Sequence, residues 1–385
     1  MREMKDSGIE WVGQIPKDWD VVPHKRVMHK VKKICEQYSG EDIISLTMNG
    51  VIKRDLTAGG KMPTSFDGYQ YVKPNDLLLC LFDIDVTPRC VGVVKDYGVT
   101  SPAYSRFVMH DGYYNAYYDY LLRAIDDDKV FVHLSKNLRS SLTESDFGAI
   151  KTCVPSLAEQ KRIVTFLDAQ CAEIDTVLEK TRASIEEYKK LKQAVITQAV
   201  TKGIFDKQIY PHNVKLKYLL YIASGDAIRN EELSEVGKYP AYGGGESLGF
   251  ASKYNTLENS LIVGRVGARC GCVTYIDSKA WATDNALIVH PICNPRYMYY
   301  MLIYSQLNNL NTSNAQPLIT ATKIKNVVVP YFLEDICQKK IVDFLDEKCA
   351  CIDAIIEKKQ QYLTEIENYK KSLIYEYVTG KKEVV

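Results

Sequence analysis

Residues 160–175 and 338–353 carry nearly the same sequence, QKRIVTFLDAQCAEID and QKKIVDFLDEKCACID. Extended without a gap to 160–201 and 338–379, the two stretches are identical at 18 of 42 positions. In both copies apolar residues recur at alternating spacings of three and four, flanked by charged residues. This pattern, sustained over several heptads, is typical of long helices that pack in a coiled coil. The chain is therefore predicted to contain two long helices of the same design.

The predicted seam of the coiled coil is formed by matching positions of the two copies. These are Leu167, Cys171, Ile174, Leu178, Thr181, Ile185, Tyr188, Val195 and Ala199, and Leu345, Cys349, Ile352, Ile356, Lys359, Leu363, Ile366, Leu373 and Tyr377. Polar residues interrupt it at corresponding places, at Thr181 and Lys359 and again at Lys192 and Lys370. Such positions can fix the register or leave room for a helix of another protein. Two similar halves pack most simply about a twofold axis, which predicts an antiparallel coiled coil with the remaining modules at opposite ends.

Prolines and glycines mark where each long helix begins and ends. Pro155 and Pro330 precede the helices, and Gly203 and Gly380 follow them, as expected for helix termini. About 45 residues at 1.5 Å each would make a rod of about 65 Å. The predicted segments are a first module at 1–155, a long helix at 156–203, a second module at 204–333 and a second long helix at 334–385. The predicted fold class is α+β, with two strand-rich modules separated by two long helices and a pseudo-twofold internal repeat.

The modules also repeat, although more faintly than the helices. Residues 90–110 and 270–290 are equal in length, begin with Cys and end with His. Helical patterns follow at Asn115 and Asn294, where asparagine is a favourable N-cap. Strand-like apolar runs and glycine-rich turns dominate the rest of both modules.

Composition indicates an ordinary globular chain. Its 385 residues are 46% hydrophobic and 25% charged, with a net charge of +1. No run approaches the ~18 apolar residues that a membrane span requires, and the first residues lack the apolar segment of a signal peptide. We therefore expect a cytoplasmic protein. The eleven cysteines form no C-x-x-C pair, and we expect them to be reduced, with Cys171 and Cys349 in the seam.

Sequence motifs for catalysis, nucleotide binding or metal binding are weak or missing. Residues 294–297, NPRY, are similar to an adenine-methyltransferase box, but the repeat favours a capped helix with buried tyrosines. GGGESLGF and GRVGARCG lack the ending of a phosphate-binding P-loop, so we predict β-turns, with close approach to a phosphate as the alternative. The six histidines show no metal-ligand spacing, and no nucleophile arrangement is evident.

Several side chains could instead read DNA. Arginine can bind guanine through two hydrogen bonds and asparagine can bind adenine in the same way. The candidates are Arg89, Ser105, Arg265, Arg269, Asn285, Lys323 and Lys325. For each arginine, and for Asn285 with its counterpart Ser105, a surface or turn role is the alternative. The two lysines could contact phosphates or simply remain solvated.

Over nearly its full length the chain resembles the specificity subunits of type I restriction–modification systems. The residues that carry the resemblance are SGIEWVGQIPKDWDVVPHKRV (7–27), YPAYGGGESLGFASKYN (239–255), LIVGRVGARCG (261–271), WATDNALIV (281–289), AQPLITATKIKNVVVP (315–330) and the two helix starts, LAEQKRIVTFLD and ICQKKIVDFLD. The second half matches more specifically than the first, since SPAYS replaces TDNA there and no GRVGA occurs.

The resemblance implies a non-catalytic subunit whose two target-recognition domains each read one half of a split target in double-stranded DNA. The paired helices would set the spacing and dock two methyltransferase subunits, which bind S-adenosylmethionine and methylate adenine at N6. Two restriction subunits that use ATP can join them, and this chain itself would bind no cofactor and no metal. The resemblance adds Arg106 and Tyr242 to the DNA-contacting candidates. The candidates for methyltransferase contact on the helices are Phe166, Ile174, Leu178, Phe344, Ile352 and Ile356.

Two other functions compete with this one. The first is a stand-alone adenine-N6 methyltransferase built around the NPRY residues. The second is a purely structural coiled-coil adaptor, which would explain the helices but give the two modules no task.

Overall fold

The protein is described by a computed structural model. The residues that it describes are 2–48, 50–57, 63–87, 89–135, 140–205, 209–244, 246–311 and 317–384. They form two compact units, unit 1 (Met1–Lys180 with Tyr362–Val385) and unit 2 (Thr181–Gln361). The units do not follow the four consecutive segments of the sequence, because each long helix contributes one part to each unit.

Unit 1 contains twelve short strands in the described residues. They are β1 (Met4–Asp6), β2 (Gln14–Pro16), β3 (Asp20–Pro23), β4 (Met28–Val31), β5 (Ile44–Thr47), β6 (Gly50–Lys53), β7 (Gln70–Val72), β8 (Leu77–Leu79), β9 (Val91–Val93), β10 (Gly98–Thr100), β11 (Ser105–Met109) and β12 (Lys151–Val154). Its own helices are α1 (Asn115–Asp127), α2 (Val130–Leu134) and α3 (Glu144–Ala149).

The long helix α4 (Leu157–Lys202) begins in unit 1 and ends in unit 2. The strands of unit 2 are β13 (His212–Lys215), β14 (Leu220–Ser224), β15 (Leu233–Ser234), β16 (Tyr239–Gly243), β17 (Glu246–Ala251), β18 (Ser260–Gly264), β19 (Val273–Ile276), β20 (Trp281–Ala282), β21 (Ala286–Pro291) and β22 (Val328–Tyr331). Its shorter helices are α5 (Pro295–Tyr304) and α6 (Ala321–Lys325), and the second long helix is α7 (Asp335–Val378).

The two units repeat one strand order. The main antiparallel sheet is β4-β11-β8-β9 in unit 1 and β14-β21-β18-β19 in unit 2. Each unit also pairs the strand before this sheet with the strand before its long helix, β3 with β12 and β13 with β22. The internal repeat predicted from the sequence is therefore confirmed at the level of topology, including the modules where the sequence match is faint.

The two long helices pack antiparallel within each unit. In unit 1 the ring of Phe166 lies 4.5 Å from that of Tyr377, and further along α4 Asp175 accepts a hydrogen bond of 2.6 Å from Lys370. The partner residue number falls as the α4 number rises, which defines the antiparallel direction. Predicted seam residues such as Leu167 and Leu345 are fully buried. The antiparallel coiled coil is thus confirmed inside each unit.

Ion pairs explain one set of polar interruptions of the seam, at Lys192 and Lys370. Lys370 binds Asp175 in unit 1, and Lys192 binds Asp353 in unit 2, both at 2.6 Å. Each lysine and each aspartate occupies the position of its counterpart in the other copy of the repeat. Half-exposed pairs of this kind contribute little to stability, about 0–1 kcal/mol. Their repetition instead favours one register of the antiparallel helices.

A buried tyrosine attaches each module to its long helix. Tyr120 of α1 donates a hydrogen bond of 2.7 Å to Asp168 of α4, and Tyr300 of α5 donates one of 2.5 Å to Asp346 of α7. Burial and the neighbouring carboxylate together raise the pKa of both hydroxyls, so both remain protonated donors. The modules are thus fixed to the helices by polar contacts as well as by apolar packing.

A buried glutamine makes a second repeated attachment. The side chain of Gln160 accepts a hydrogen bond from the backbone N–H of Tyr114, and that of Gln338 accepts one from the N–H of Asn294. Both glutamines are fully buried. Each therefore satisfies an amide at the start of a module helix while it sits in the first turn of a long helix.

The predicted asparagine caps have different outcomes. Asn294 caps α5, since its side-chain oxygen accepts hydrogen bonds from the N–H groups of Arg296 and Tyr297. The prediction for Asn115 is wrong, because α1 begins at this residue and its side chain donates to Asn75. Tyr114 occupies the N-cap position of α1, so Tyr114 rather than Asn115 is the structural counterpart of Asn294.

The cysteines are free thiols, as expected for reduced core residues. Eight of the eleven are buried, including Cys171 and Cys349 in the seam, whereas Cys272 and Cys351 are exposed. Burial raises the pKa of both seam thiols. They therefore act as small apolar side chains.

A fully buried histidine makes the stability of unit 1 dependent on pH. His24 stacks on Phe147 with ring centroids 4.7 Å apart, and burial lowers its pKa to about 4 from 6.5. As the pH falls below about 6.5 the unfolded chain takes up a proton before the folded chain does. The free energy of unfolding should therefore decrease between about pH 6.5 and 4, by about 3 kcal/mol in total.

The residue of unit 2 that corresponds to His24 suggests the substitution that tests this pH dependence. There the residue is Leu216, also fully buried, so His24→Leu should remove this part of the pH dependence. Urea unfolding of both chains at a series of pH values tests the expectation. Equal slopes of stability against pH in the two chains would contradict it.

Candidate nucleic-acid interface

Three loops of unit 2 converge at one edge of its two sheets. They are the turn between β16 and β17, the loop that follows β18, and residues 283–285 before β21. The N–H of Arg265 donates to the carbonyl of Asn285 at 3.0 Å, and the N–H of Thr283 donates to the carbonyl of Tyr242 at 2.9 Å. Arg265, Arg269 and Asn285, which were predicted separately to contact DNA, lie on these loops, and Tyr242 lies at the end of β16 beside them.

Glycine permits this convergence. A Cβ atom at Gly264 would lie 2.1 Å from the carbonyl oxygen of Arg269 and 2.6 Å from that of Gly244. Gly244 itself has a φ of +65°, which side chains other than glycine rarely adopt. The glycine-rich motifs therefore serve close approach between loops of this chain. Gly245 lies outside the described residues.

The charged side chains at this edge are accessible. Arg269 is exposed at the end of a short 3-10 turn and forms an ion pair of 3.0 Å with Glu246, both side chains being more than half exposed. Such a pair contributes only about 0–1 kcal/mol, so an incoming phosphate or base can replace it. Arg265 is half-buried and Asn285 is exposed, with its backbone rather than its amide bound to the neighbouring loop. Tyr242 is half-buried and packs on a small apolar cluster.

The two predicted lysines lie on α6. Residues 317–319 bind the loop after β18, where the N–H of Ile319 donates to the carbonyl of Arg265 at 2.9 Å, and α6 begins two residues later. Lys323 donates to the carbonyl of Leu310 at 3.1 Å, and Lys325 is half-buried. Residues 315 and 316, which begin the stretch AQPLITATKIKNVVVP, lie outside the described residues.

Arg89 of unit 1 supports a hairpin. Its guanidinium donates to the carbonyl of Val91 at 3.0 Å and to that of Met48 at 3.2 Å. Met48 stands at the end of β5, at the turn of the β5–β6 hairpin, and 65% of its surface is exposed. Arg89 thus positions this hairpin, whose apolar residues Met48 and Ile52 are exposed.

Arg106 does not face solvent. It forms an ion pair of 2.6 Å with Asp76, and the two side chains are 10% and 2% exposed. Its guanidinium also donates to the carbonyl of Tyr71. Withdrawing it would leave a buried aspartate without a counter-charge, at a cost of several kcal/mol. We therefore remove Arg106 from the candidate interface, while its neighbour Ser105 remains half-buried at the start of β11.

The predicted partner residues on the long helices fall into two groups. Leu178 and Ile352 are 4% and 7% exposed. Both are buried in the seam, so we remove them from the candidate partner surface. The other four are half-buried, namely Phe166, Ile174, Phe344 and Ile356.

Exposed apolar residues form a better candidate surface. Val177 and Tyr369 are exposed in unit 1, and their repeat counterparts Ile355 and Leu191 are exposed in unit 2. We call these two pairs the helix patches. Each patch adjoins in sequence the ion pair of its unit. The sequence contained a signal for this surface, because these apolar residues lie outside the predicted seam in both copies of the repeat.

The NPRY residues have a structural task. Asn294 is the cap of α5 and Tyr297 is fully buried. Neither side chain is free to hold a base. Among the described residues no group of three or more His, Cys, Asp or Glu side chains could hold a metal ion. Within the same residues no helix is long and apolar enough to cross a membrane.

Parts of the chain are similar in sequence to known proteins. Residues 212–367 match the family model of the type I restriction modification DNA specificity domain. The chain is 28% identical over 137 residues to the type I restriction enzyme EcoprrI specificity subunit of Escherichia coli, which covers 34% of each chain. It is 25% identical over 281 residues to the MjaVIII specificity subunit of Methanocaldococcus jannaschii, which covers 62% of this chain and 63% of the relative. The matches thus span between one third and two thirds of these relatives.

A solved structure supports the fold over a greater length. One chain from work on complex assembly and conformational transition of the type I R-M system superposes with a TM-score of 0.70 at 15% identity. The superposition covers 96% of this chain and 99% of that one. At this identity the likeness establishes the fold alone. Taken together, residues 212–367 are similar to the type I restriction modification DNA specificity domain, stretches of the chain are similar to type I specificity subunits, and the repeated modules and long helices have the fold of that solved chain.

Proposed function

We propose that this chain reads a two-part target in double-stranded DNA for a type I methyltransferase complex. The observation that carries the proposal is the convergence of Arg265, Arg269 and Asn285 on one edge of unit 2. These are the side chains that bind guanine and adenine edges most selectively. Unit 1 repeats the same sheet with different loops, as two readers of different sequences would.

The paired helices set the spacing of the two half-sites. Half-sites read from one face of a duplex are separated by about 34 Å per helical turn. A coiled coil is stiff enough to impose such a separation. Linking two modest readers also raises the effective concentration of the second once the first has bound.

The partner is a methyltransferase subunit in two copies, one on each helix patch. The patches occupy equivalent positions of the repeat, so two identical partners can bind in the same way. Restriction subunits join where the system has them. The partner supplies S-adenosylmethionine and a restriction subunit uses ATP, while this chain binds neither and catalyses no reaction.

The alternatives have less support. A stand-alone methyltransferase needs an accessible adenine-binding motif, and the NPRY residues are a helix cap with a buried tyrosine. A structural adaptor does not require a cluster of two arginines and an asparagine on converging loops.

Single substitutions at the edge of unit 2 test the proposal. Arg265→Ala and Asn285→Ala should each lose about 1–3 kcal/mol of discrimination, or about 5- to 150-fold, at one base pair of one half-site. Binding of the chain with its methyltransferase is measured on duplexes with each base pair of the target changed in turn. Lys217→Ala, an exposed cation elsewhere in unit 2, is the control and should retain full discrimination. Unchanged discrimination in both edge variants would refute this assignment.

A further inference from the structure

A second cationic surface of unit 2 lies away from the converging loops. Three lysines stand over three aromatic rings, with Nζ-to-centroid distances of 4.8–5.2 Å. The pairs are Lys238 with Tyr239 (5.2 Å), Lys253 with Trp281 (4.8 Å) and Lys279 with Tyr254 (4.8 Å). The rings of Tyr239 and Tyr254 are themselves 5.0 Å apart. We call these six residues the lysine–aromatic patch.

The loop that carries two of these residues is held rigidly. Asn255 donates to the carbonyl of Ala282 at 2.8 Å and accepts from the N–H of the same residue at 2.7 Å. Thr256 makes the corresponding pair of hydrogen bonds with Ala280. Lys253 and its neighbour Tyr254 are therefore fixed against the strand that contains Trp281. The patch is preorganised, which lowers the entropy lost when it binds a ligand.

Contact with a ring leaves a lysine available to an anion. The aliphatic stem lies along the aromatic surface while the ammonium keeps its donors in water. Acidic neighbours neutralise the patch only weakly, since the nearest ion pair joins Lys253 and Glu232 at 3.9 Å with both side chains about half exposed. The patch therefore presents three positive charges in fixed positions.

Two parallel strands connect the patch to the converging loops. β16 begins at Tyr239 in the patch and ends beside Gly244, and β20 begins at Trp281 and leads directly to Asn285. The strands pair in parallel, Ala241 opposite Trp281. Four residues of strand span about 13 Å, which is close to the ~12 Å width of the major groove. A duplex read at one end of these strands would thus bring its phosphates near the other end.

We propose that the lysine–aromatic patch binds the phosphodiester backbone of DNA beside the half-site read by unit 2. This inference rests on the proposed function, and it assigns phosphate contact to residues distinct from the base-reading side chains. A duplex is favoured over an acidic protein because the patch is continuous with the converging loops through β16 and β20. Phosphate contacts give affinity without sequence preference and make binding sensitive to salt.

Salt dependence of binding tests the proposal directly. The full-length chain is titrated into a fluorescein-labelled duplex of random sequence, and the logarithm of affinity is followed between about 50 and 200 mM salt. Each of Lys238→Gln, Lys253→Gln and Lys279→Gln should reduce the magnitude of the slope by about 0.9, and the triple variant by about 2.7. Lys217→Gln is the matched control, because Lys217 also lies over a tyrosine, at 4.7 Å from the ring of Tyr218, but outside the patch. It should keep the wild-type slope.

The outcomes separate this proposal from the proposed function. A triple variant that is folded by circular dichroism and binds with the wild-type slope would overturn the patch assignment. So would a triple variant that loses its methyltransferase in co-purification but keeps the slope, since the patch would then be a protein-binding surface. A wild-type chain that binds no duplex at any salt concentration, either alone or with its methyltransferase, would instead overturn the proposed function.

Discussion

Inserting one heptad into each long helix is expected to change the gap between the two half-sites and to leave both half-site sequences unchanged. The insertions belong between Lys180 and Thr181 in α4 and between Gln361 and Tyr362 in α7, at the boundaries between the compact units. Both ion pairs of the seam and all module contacts then remain within their units. A heptad keeps the seam facing the partner helix and adds about 10 Å to each helix.

The gap is measured by mapping N6-methyladenine in cells that carry the altered chain with its methyltransferase. Because about 10 Å corresponds to about three base-pair steps of 3.4 Å, the original two-part motif should no longer be methylated. A heptad in α4 alone is the control, since the Asp175–Lys370 and Lys192–Asp353 pairs can then no longer be in register at the same time, and it should abolish methylation altogether. A double insertion that methylates the original motif with its original gap would refute the spacing role of the helices.

The repeat allowed much of the architecture to be predicted from the sequence. The same pattern occurs twice in the chain. Agreement between the two copies supported the prediction of long helices, of their antiparallel pairing and of the matched modules. The same comparison identified NPRY as a helix cap, since its counterpart is not a methyltransferase motif. Even the polar seam positions Lys192 and Lys370 were recognisable as paired exceptions.

The individual contacts could not be predicted in the same way. Arg106 and Asp76 are 30 positions apart, and only the pairing of β8 with β11 brings them together as a buried ion pair. Asn115 matched a helix cap in sequence, but α1 begins at this residue and Tyr114 occupies its N-cap position. Leu178 and Ile352 were assigned to a partner although heptad spacing also placed them in the seam. In each case the structure was decided by residues distant in sequence.

The candidate interface was also only partly predictable from the sequence. Arg265, Arg269 and Asn285 were chosen by residue type, and their convergence depends on the close approach of Gly244 and Gly264. The lysine–aromatic patch had no sequence signature, because its members come from three separate segments. Glycines that allow two loops to come close together, such as Gly244 and Gly264, therefore indicate this site better than single charged residues do.

Exchange of residues 204–333 for the corresponding module of a relative tests the central claim most directly. The donor should retain a tyrosine that corresponds to Tyr300, so that Asp346 keeps its partner in unit 2. Gln338 binds a backbone N–H and sets no such requirement. The measurement is again a map of N6-methyladenine in cells that contain the exchanged chain and its methyltransferase. We expect a new two-part motif in which one half is that of the donor, while the other half and the gap are those of this chain. Methylation of the original motif with both halves unchanged would contradict the claim that each module reads one half of the target.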